Sequence, residues 1–431
     1  MAESAVPVTD TDNQQISEVT ASTMPSLRTN RALHGIYAGT FTAFLGLAMA
    51  EIVFPLLVLG FTGKPLLAGL FGTIQFTALL LVAIPAGNFL DRHDRRRVFI
   101  VSESVRVTVA TVLAITLATG HVWLVEIYLI AFVLGACLPL SSVRALALRS
   151  IVDPAQLTKA LSFQQVISGL AQLVGPAIGT ALYAVNRSLP FVAIAAGVGI
   201  SAICAYAVHF DSRPEPAAAA TTDAKTKAEG PFAGLSLIWS HPVMRGALLF
   251  AMLMNLIGVP FDLVVIVQAK HEGVPTHFIG LIFAAFAAGG ILGAPCIPRL
   301  HALLRPGHLL IGLGLLMALS SLLIAVVPLG GFWMAGWLAA IGFVIPAATV
   351  LIDVLILRQV PDRQRGRVLS STMAFMALGA PLGAALGGSL LQAFSSAAVL
   401  LGMAAACAAI VVFTLSQRAL RIAQWPSASA T

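Results

Sequence analysis

LLAGLFGTIQFTALLLVAIPAGNFLDRHDRRR, residues 66–97, decides how the rest of the chain is read. Leu66 to Leu90 is a run of 25 residues without a charge, and the seven that follow, Asp91–Arg97, hold four arginines. About 20 apolar residues suffice for a helix to cross the hydrocarbon of a bilayer. Charge as dense as the closing block is costly inside that hydrocarbon and belongs at its surface. The stretch therefore reads as a transmembrane helix ending in a basic loop.

The same unit recurs on both sides. The 431 residues are 58% hydrophobic and only 10% charged, against roughly 25% charged in soluble proteins. So few charges cannot cover a water-exposed surface, and the mean hydropathy of +0.93 agrees. Twelve spans of the required length are found at 36–60, 67–88, 98–119, 122–148, 160–185, 190–209, 244–268, 276–297, 308–328, 331–355, 367–391 and 395–416. Turn-forming residues separate them, among them Thr62-Gly63-Lys64-Pro65, Asp153-Pro154 and Arg305-Pro306-Gly307. The expectation is an all-α membrane protein of 12 transmembrane helices in two pseudo-symmetric six-helix bundles. Its parts are a disordered N-terminal tail (1–31), an N-terminal bundle (32–210), a polar linker (211–240), a C-terminal bundle (241–417) and a C-terminal tail (418–431). The tail at 1–31 has no apolar core of the kind a signal peptide needs.

The formal charge of +7 raises nucleic acid as a partner, and the placement of the charge argues against it. With the N-terminus inside, the cytoplasmic segments gather 20 Lys and Arg and the outer loops 3, leaving Arg106 and Arg144 within spans. Such a split is the positive-inside signature. It puts the chain in the plasma (inner) membrane with both termini cytoplasmic and membrane lipid against its basic loops.

The halves echo one another. An offset of 211 residues carries Gly69-Leu70 onto Gly280-Leu281 and Glu51 onto Asp262. Parallel repeats about an axis normal to the membrane are one way secondary transporters are built, with the site between the halves at mid-depth.

Gly87-Asn88-Phe89-Leu90-Asp91-Arg92-His93-Asp94-Arg95-Arg96-Arg97 resembles the loop signature of the major facilitator superfamily, a glycine, then Asp-Arg, then a basic pair. The Asp-Arg-His-Asp-Arg-Arg variant is similar to the twelve-helix drug:proton antiporter branch, which includes macrolide-efflux and enterobactin-exporter-like proteins. Phe89 and Asp94 depart from the general pattern, where Leu and Gly are usual. The resemblance, covering about 32–416, implies that Gly87, Asp91, Arg92, Arg95 and Arg96 form a conformational latch. In it Asp91 receives the N-terminal dipole of span eleven in the outward-open state. Gly175-Pro176-Ala177-Ile178-Gly179 in span five resembles the antiporter motif that bends this helix in exporters. A generic proline kink is the competing reading of Gly175, Pro176 and Gly179.

Acids inside a membrane are rare and usually functional. Glu51 and Asp262, at matching depth in spans one and seven, are the candidates for carrying a coupled proton. A location near the outer interface, solvated and structural, is the competing reading of each. Glu103 and Arg106, spaced i and i+3, are expected to satisfy each other. Candidates for the substrate cavity are Gln75, the stripe Gln165, Ser168 and Gln172, then Asn255, Thr349, Met373, Phe375 and Met376. Each also fits interhelical packing. Methionines give the adaptable surface that promiscuous sites use.

No P-loop, dinucleotide-binding fingerprint or metal-ligand cluster is present, and Cys137, Cys204, Cys296 and Cys407 are scattered singly. The expectation is a non-enzymatic transporter without cofactor or metal, drawing on a proton gradient and working as a monomer. Its substrate would be a small amphipathic molecule. Import of a small nutrient, and a transport-inactive scaffold or sensor, are the competing readings.

Overall fold

A computed structural model describes residues 30–143, 148, 151–207, 239–359 and 371–422. Among these lie twelve helices long and apolar enough to cross a membrane, as the spacing of hydrophobic runs predicts. They are α1 (Arg31–Thr62), α2 (Pro65–Arg92), α3 (Arg95–Ala118), α4 (Leu124–Cys137), α5 (Pro154–Val185) and α6 (Leu189–Ala207). The second set is α7 (Pro242–His271), α8 (Thr276–Gly293), α9 (Pro306–Val326), α10 (Gly331–Gln359), α11 (Gly379–Ala393) and α12 (Ser396–Ser416). The span containing α11 starts earlier, at Ser371. The chain is a multi-pass membrane protein. Its outward faces carry Leu81, Val101, Ile115, Phe132, Ile203, Leu292, Leu315 and Val412, all exposed, as contact with lipid requires.

Local chemistry fixes where helices start and stop. The Asn30 side chain accepts from Leu33 N at 3.1 Å, capping α1, while its Nδ2 donates to Ile151 O at 3.0 Å. Gly63, at φ 65°, takes the left-handed conformation that closes α1, and Pro65 opens α2 directly behind it. Asp94 caps α3 by accepting from Arg96 N at 2.9 Å. The residue that departs from the loop signature thus has a local job. Arg418–Ile422, expected within the C-terminal tail, forms a helical turn whose buried Leu420 packs over Gly246 of α7, with Gly307 of α9 beneath the same turn.

The two halves repeat one packing plan. In the first, α1 lies against α5 and α6, α3 against α6, and α2 against α4; in the second, α7 lies against α11 and α12, α9 against α12, and α8 against α10. Glycines permit the close approaches, since packing drives association where lipid is as apolar as leucine. A Cβ at Gly289 or Gly293 of α8 would run into the α10 backbone at Ala339 or Phe343. The halves meet through α5 against α8 and α2 against α11.

Inside the first half, Arg106 and Glu103 form the expected pair at 2.9 Å, both almost fully buried. Removing one member of a buried pair leaves an uncompensated charge, at a cost of about 3–5 kcal/mol. Arg106→Met should lower unfolding stability by that amount, and the double change with Glu103→Leu should restore most of it. Thermal unfolding of the purified protein in detergent measures both. Glu126 is half-buried and accepts from the Thr116 hydroxyl at 2.7 Å.

Candidate functional site: an acidic chamber between the halves

We call the end where α1 begins and α12 finishes the terminal end, and the opposite end distal. Glu51 sits 11 residues before the close of α1 and Asp262 nine before the close of α7. At 1.5 Å per residue each lies about 14–17 Å below the distal end, well inside the bilayer. Both are exposed, and Glu51 lies near enough to Asp262 for its charge to be felt there. Two carboxylates contributed by repeat-related helices, one from each half, therefore lie toward the space between the halves, which we call the chamber.

The distal end of this chamber is closed by backbone contact. A Cβ added to Gly69 of α2 would lie 2.6 Å from Ala384 O and from Gly388 Cα of α11. On the pseudo-symmetric side, Gly280 of α8 presses against the Pro176 carbonyl and the Thr180 hydroxyl of α5. That hydroxyl also donates to Pro176 O at 2.9 Å and His277 O at 3.3 Å. Gly175 and Gly179 pack against α1, where a Cβ on Gly175 would approach Ala48 Cβ to 2.6 Å. Gly175, Pro176 and Gly179 thus sit at the crossing of α5 with both α1 and α8. A proline frees the carbonyl one turn earlier and bends the helix. Sequence reasoning did not find the closures at Gly280 and Gly388, although the 211-residue echo of Gly69 in Gly280 pointed at one of them.

A cavity of about 310 Å³ opens within the C-terminal bundle between α7, α8, α9, α10 and α11. Asp262, Asn255, Thr349 and Met376 line it, together with Met254, Phe286 and Met317, the last two of which sequence reasoning did not single out. Asn255 donates to Ala251 O at 3.0 Å and Thr349 to Ile345 O at 3.1 Å, so each turns its donor to its own helix.

Other candidates lie elsewhere. Gln75 faces a separate pocket inside the N-terminal bundle, beside Arg106, and is corrected to that place. Gln165 and Gln172 are exposed along α5, whereas Ser168 is buried and donates to Gln165 O at 3.0 Å. The expected three-residue stripe is therefore two residues. Phe375 packs edge-on against Trp239 at 5.9 Å and Met373 is exposed, and neither lines the cavity. Of the latch, Arg96 is described, with its guanidinium donating to Tyr206 O at 2.8 Å. The side-chain positions of Gly87, Asp91, Arg92 and Arg95 lie outside the described residues. Among the described residues no group of three or more His, Cys, Asp or Glu is arranged to hold a metal.

Comparison with known proteins gives the same architecture. The model for the Major Facilitator Superfamily matches residues 36–272 and 263–426. Macrolide efflux protein A of Streptococcus pyogenes is 22% identical over 354 residues, covering 81% of this chain and 86% of that protein. Multidrug efflux pump Tap of Mycolicibacterium fortuitum is 24% identical over 367 residues, covering 83% and 88%. Among solved structures, the nucleoside transporter NupG superposes with a TM-score of 0.71 at 10% identity, covering 90% of this chain and 99% of that one. A bacterial homologue of the iron transporter ferroportin, in its inward-facing state, gives 0.71 at 16% identity, covering 90% and 98%. Identities this low speak for the fold alone.

Proposed function

This chain belongs to the major facilitator superfamily, and on that premise we propose that it exports small amphipathic compounds in exchange for protons by alternating access. It is a transporter and not an enzyme. Efflux is favoured by the two efflux proteins it resembles along most of their length. The single observation that carries the coupling is the solvent-exposed pair Glu51 and Asp262, set at matching depth in the two halves.

The 20-to-3 division of Lys and Arg supports a cytoplasmic location for the terminal end, in the plasma membrane of the cell. With the distal end sealed by α2 on α11 and α5 on α8, the chamber faces the cytoplasm. A compound enters, its body against the apolar wall and its polar part near Asp262. The halves then rock, the distal seals part, and a carboxylate takes up an external proton as the compound leaves. Return to the inward state delivers that proton inside. One proton moving through about 100 mV supplies roughly 2.3 kcal/mol, enough for about a 50-fold gradient of a neutral substrate. Asp91 latches the outward state by meeting the start of the α11 span. Anionic lipid headgroups hold the arginines of the basic loops at about 1 kcal/mol per residue, and the functional unit is a monomer with no nucleic-acid partner.

Cells expressing the protein should lower their content of a lipophilic dye such as rhodamine 6G, and a protonophore should restore it. Dye content that does not change with expression would remove the export reading; efflux indifferent to the protonophore would remove the coupling.

A further inference from the structure

The cavity in the C-terminal bundle has a counterpart in the N-terminal one, and the two have diverged. The N-terminal pocket lies between α1, α2, α3, α4 and α6 and measures about 30 Å³, a tenth of its partner's 310 Å³. The offset that joins Glu51 to Asp262 also joins their linings: Gln75 with Phe286, Arg106 with Met317, Leu134 with Ile345. The same step carries Glu103 onto Gly314. One half therefore has Arg106, held in a buried ion pair, on the wall of its pocket, and the other has a glycine and a thioether at the places of that pair. Without the pair the α9 wall of this cavity is apolar, formed by Leu310, Leu313 and Met317.

We propose that the C-terminal cavity is the subsite for the apolar tail of the transported compound, with Met317 and Phe286 setting how long a tail it accepts. This rests on the export reading above. Its lining includes Asp262 on α7 and Met317 on α9, and its volume is at the lower end of the range for small-molecule sites. A tail lying along it puts the headgroup beside Asp262. Methionine adapts to tails of different shape, which suits a site of broad acceptance. The N-terminal pocket, of about the size of one water, takes no part.

The test uses n-alkyltrimethylammonium ions from hexyl to tetradecyl, titrated calorimetrically into the full-length protein in lipid nanodiscs, with empty nanodiscs subtracted. The headgroup is constant, so only the tail varies. In the natural sequence each added methylene should tighten binding about fourfold up to a limiting length, beyond which affinity is flat. Met317→Trp should move that limit to a shorter chain, and Met317→Ala to a longer one. The second shift is a gain that misfolding does not imitate. Limits unchanged in the Ala variant would overturn the subsite while leaving export standing. Absence of binding by every member of the series to the natural sequence would overturn the export reading and the subsite with it.

Discussion

Glu51→Gln is expected to abolish uphill efflux while leaving the twelve-helix fold and downhill substrate exchange in place. Glutamine keeps the size of the side chain and its place in the chamber but cannot change charge. If Glu51 carries the proton, the gradient the variant sustains should fall from about 50-fold to none, a loss of about 2.3 kcal/mol of coupling. Asp262→Asn is the natural companion, because the charge of Glu51 reaches Asp262. Loss in one variant only would identify the carrier; loss in both would make the pair a unit, whose titration then belongs to both groups together. Proteoliposomes with an imposed pH gradient measure the uphill component, and counterflow of labelled substrate without a gradient measures the exchange. Uphill transport within twofold of normal in both variants would remove these acids from the mechanism.

The second large effect is expected at the distal seal. Gly280 lets α8 press on the Pro176 carbonyl and Thr180 of α5, and an added Cβ meets backbone that cannot rotate away. Gly280→Leu should therefore hold the halves apart at that end, and efflux should fall at least tenfold. The same change should open the chamber from outside. In a background with Cys137, Cys204, Cys296 and Cys407 replaced by alanine, a cysteine introduced by Gln172→Cys should become reactive toward an impermeant maleimide applied to the distal face. A seal that tolerates leucine, with efflux and labelling unchanged, would contradict this account of the closure. Gly69→Leu, against Ala384 and Gly388 on the other side of the chamber, should behave alike.

Much of the architecture was legible because a bilayer imposes a one-dimensional rule: each crossing needs its run of apolar residues, and each basic loop must stay at the surface. Arg95–Arg97 after the second span and Arg305-Pro306-Gly307 before the ninth mark such boundaries without any knowledge of packing. Which face of a helix looks inward was far less legible. In water, polar residues mark the outer face, but here the lipid-facing and buried faces are both apolar. Gln75, Ser168 and Phe375 were therefore grouped with the substrate cavity on polarity or softness alone, and the fold takes each elsewhere. Phe286 and Met317 went unnoticed for the same reason, since nothing in their chemistry separates a cavity wall from a packed core. The signal that finds them is the internal repeat: Gln75 and Arg106, moved by the offset that relates Glu51 to Asp262, land on both. Close approaches such as Gly280 on Pro176 depend on two helices far apart in sequence, and single-helix patterns do not encode them.

Coupling itself is tested most directly by driving the exchange with substrate instead of protons. The purified protein is reconstituted in liposomes loaded with a pH-sensitive dye, with no initial pH gradient and with the membrane potential clamped. An outwardly directed gradient of a transported amphiphile is then imposed. The account predicts that substrate leaving the lumen draws protons in, so the lumen acidifies, and that Glu51→Gln abolishes the change while exchange of substrate continues. Substrate efflux with a lumenal pH that stays constant would contradict it.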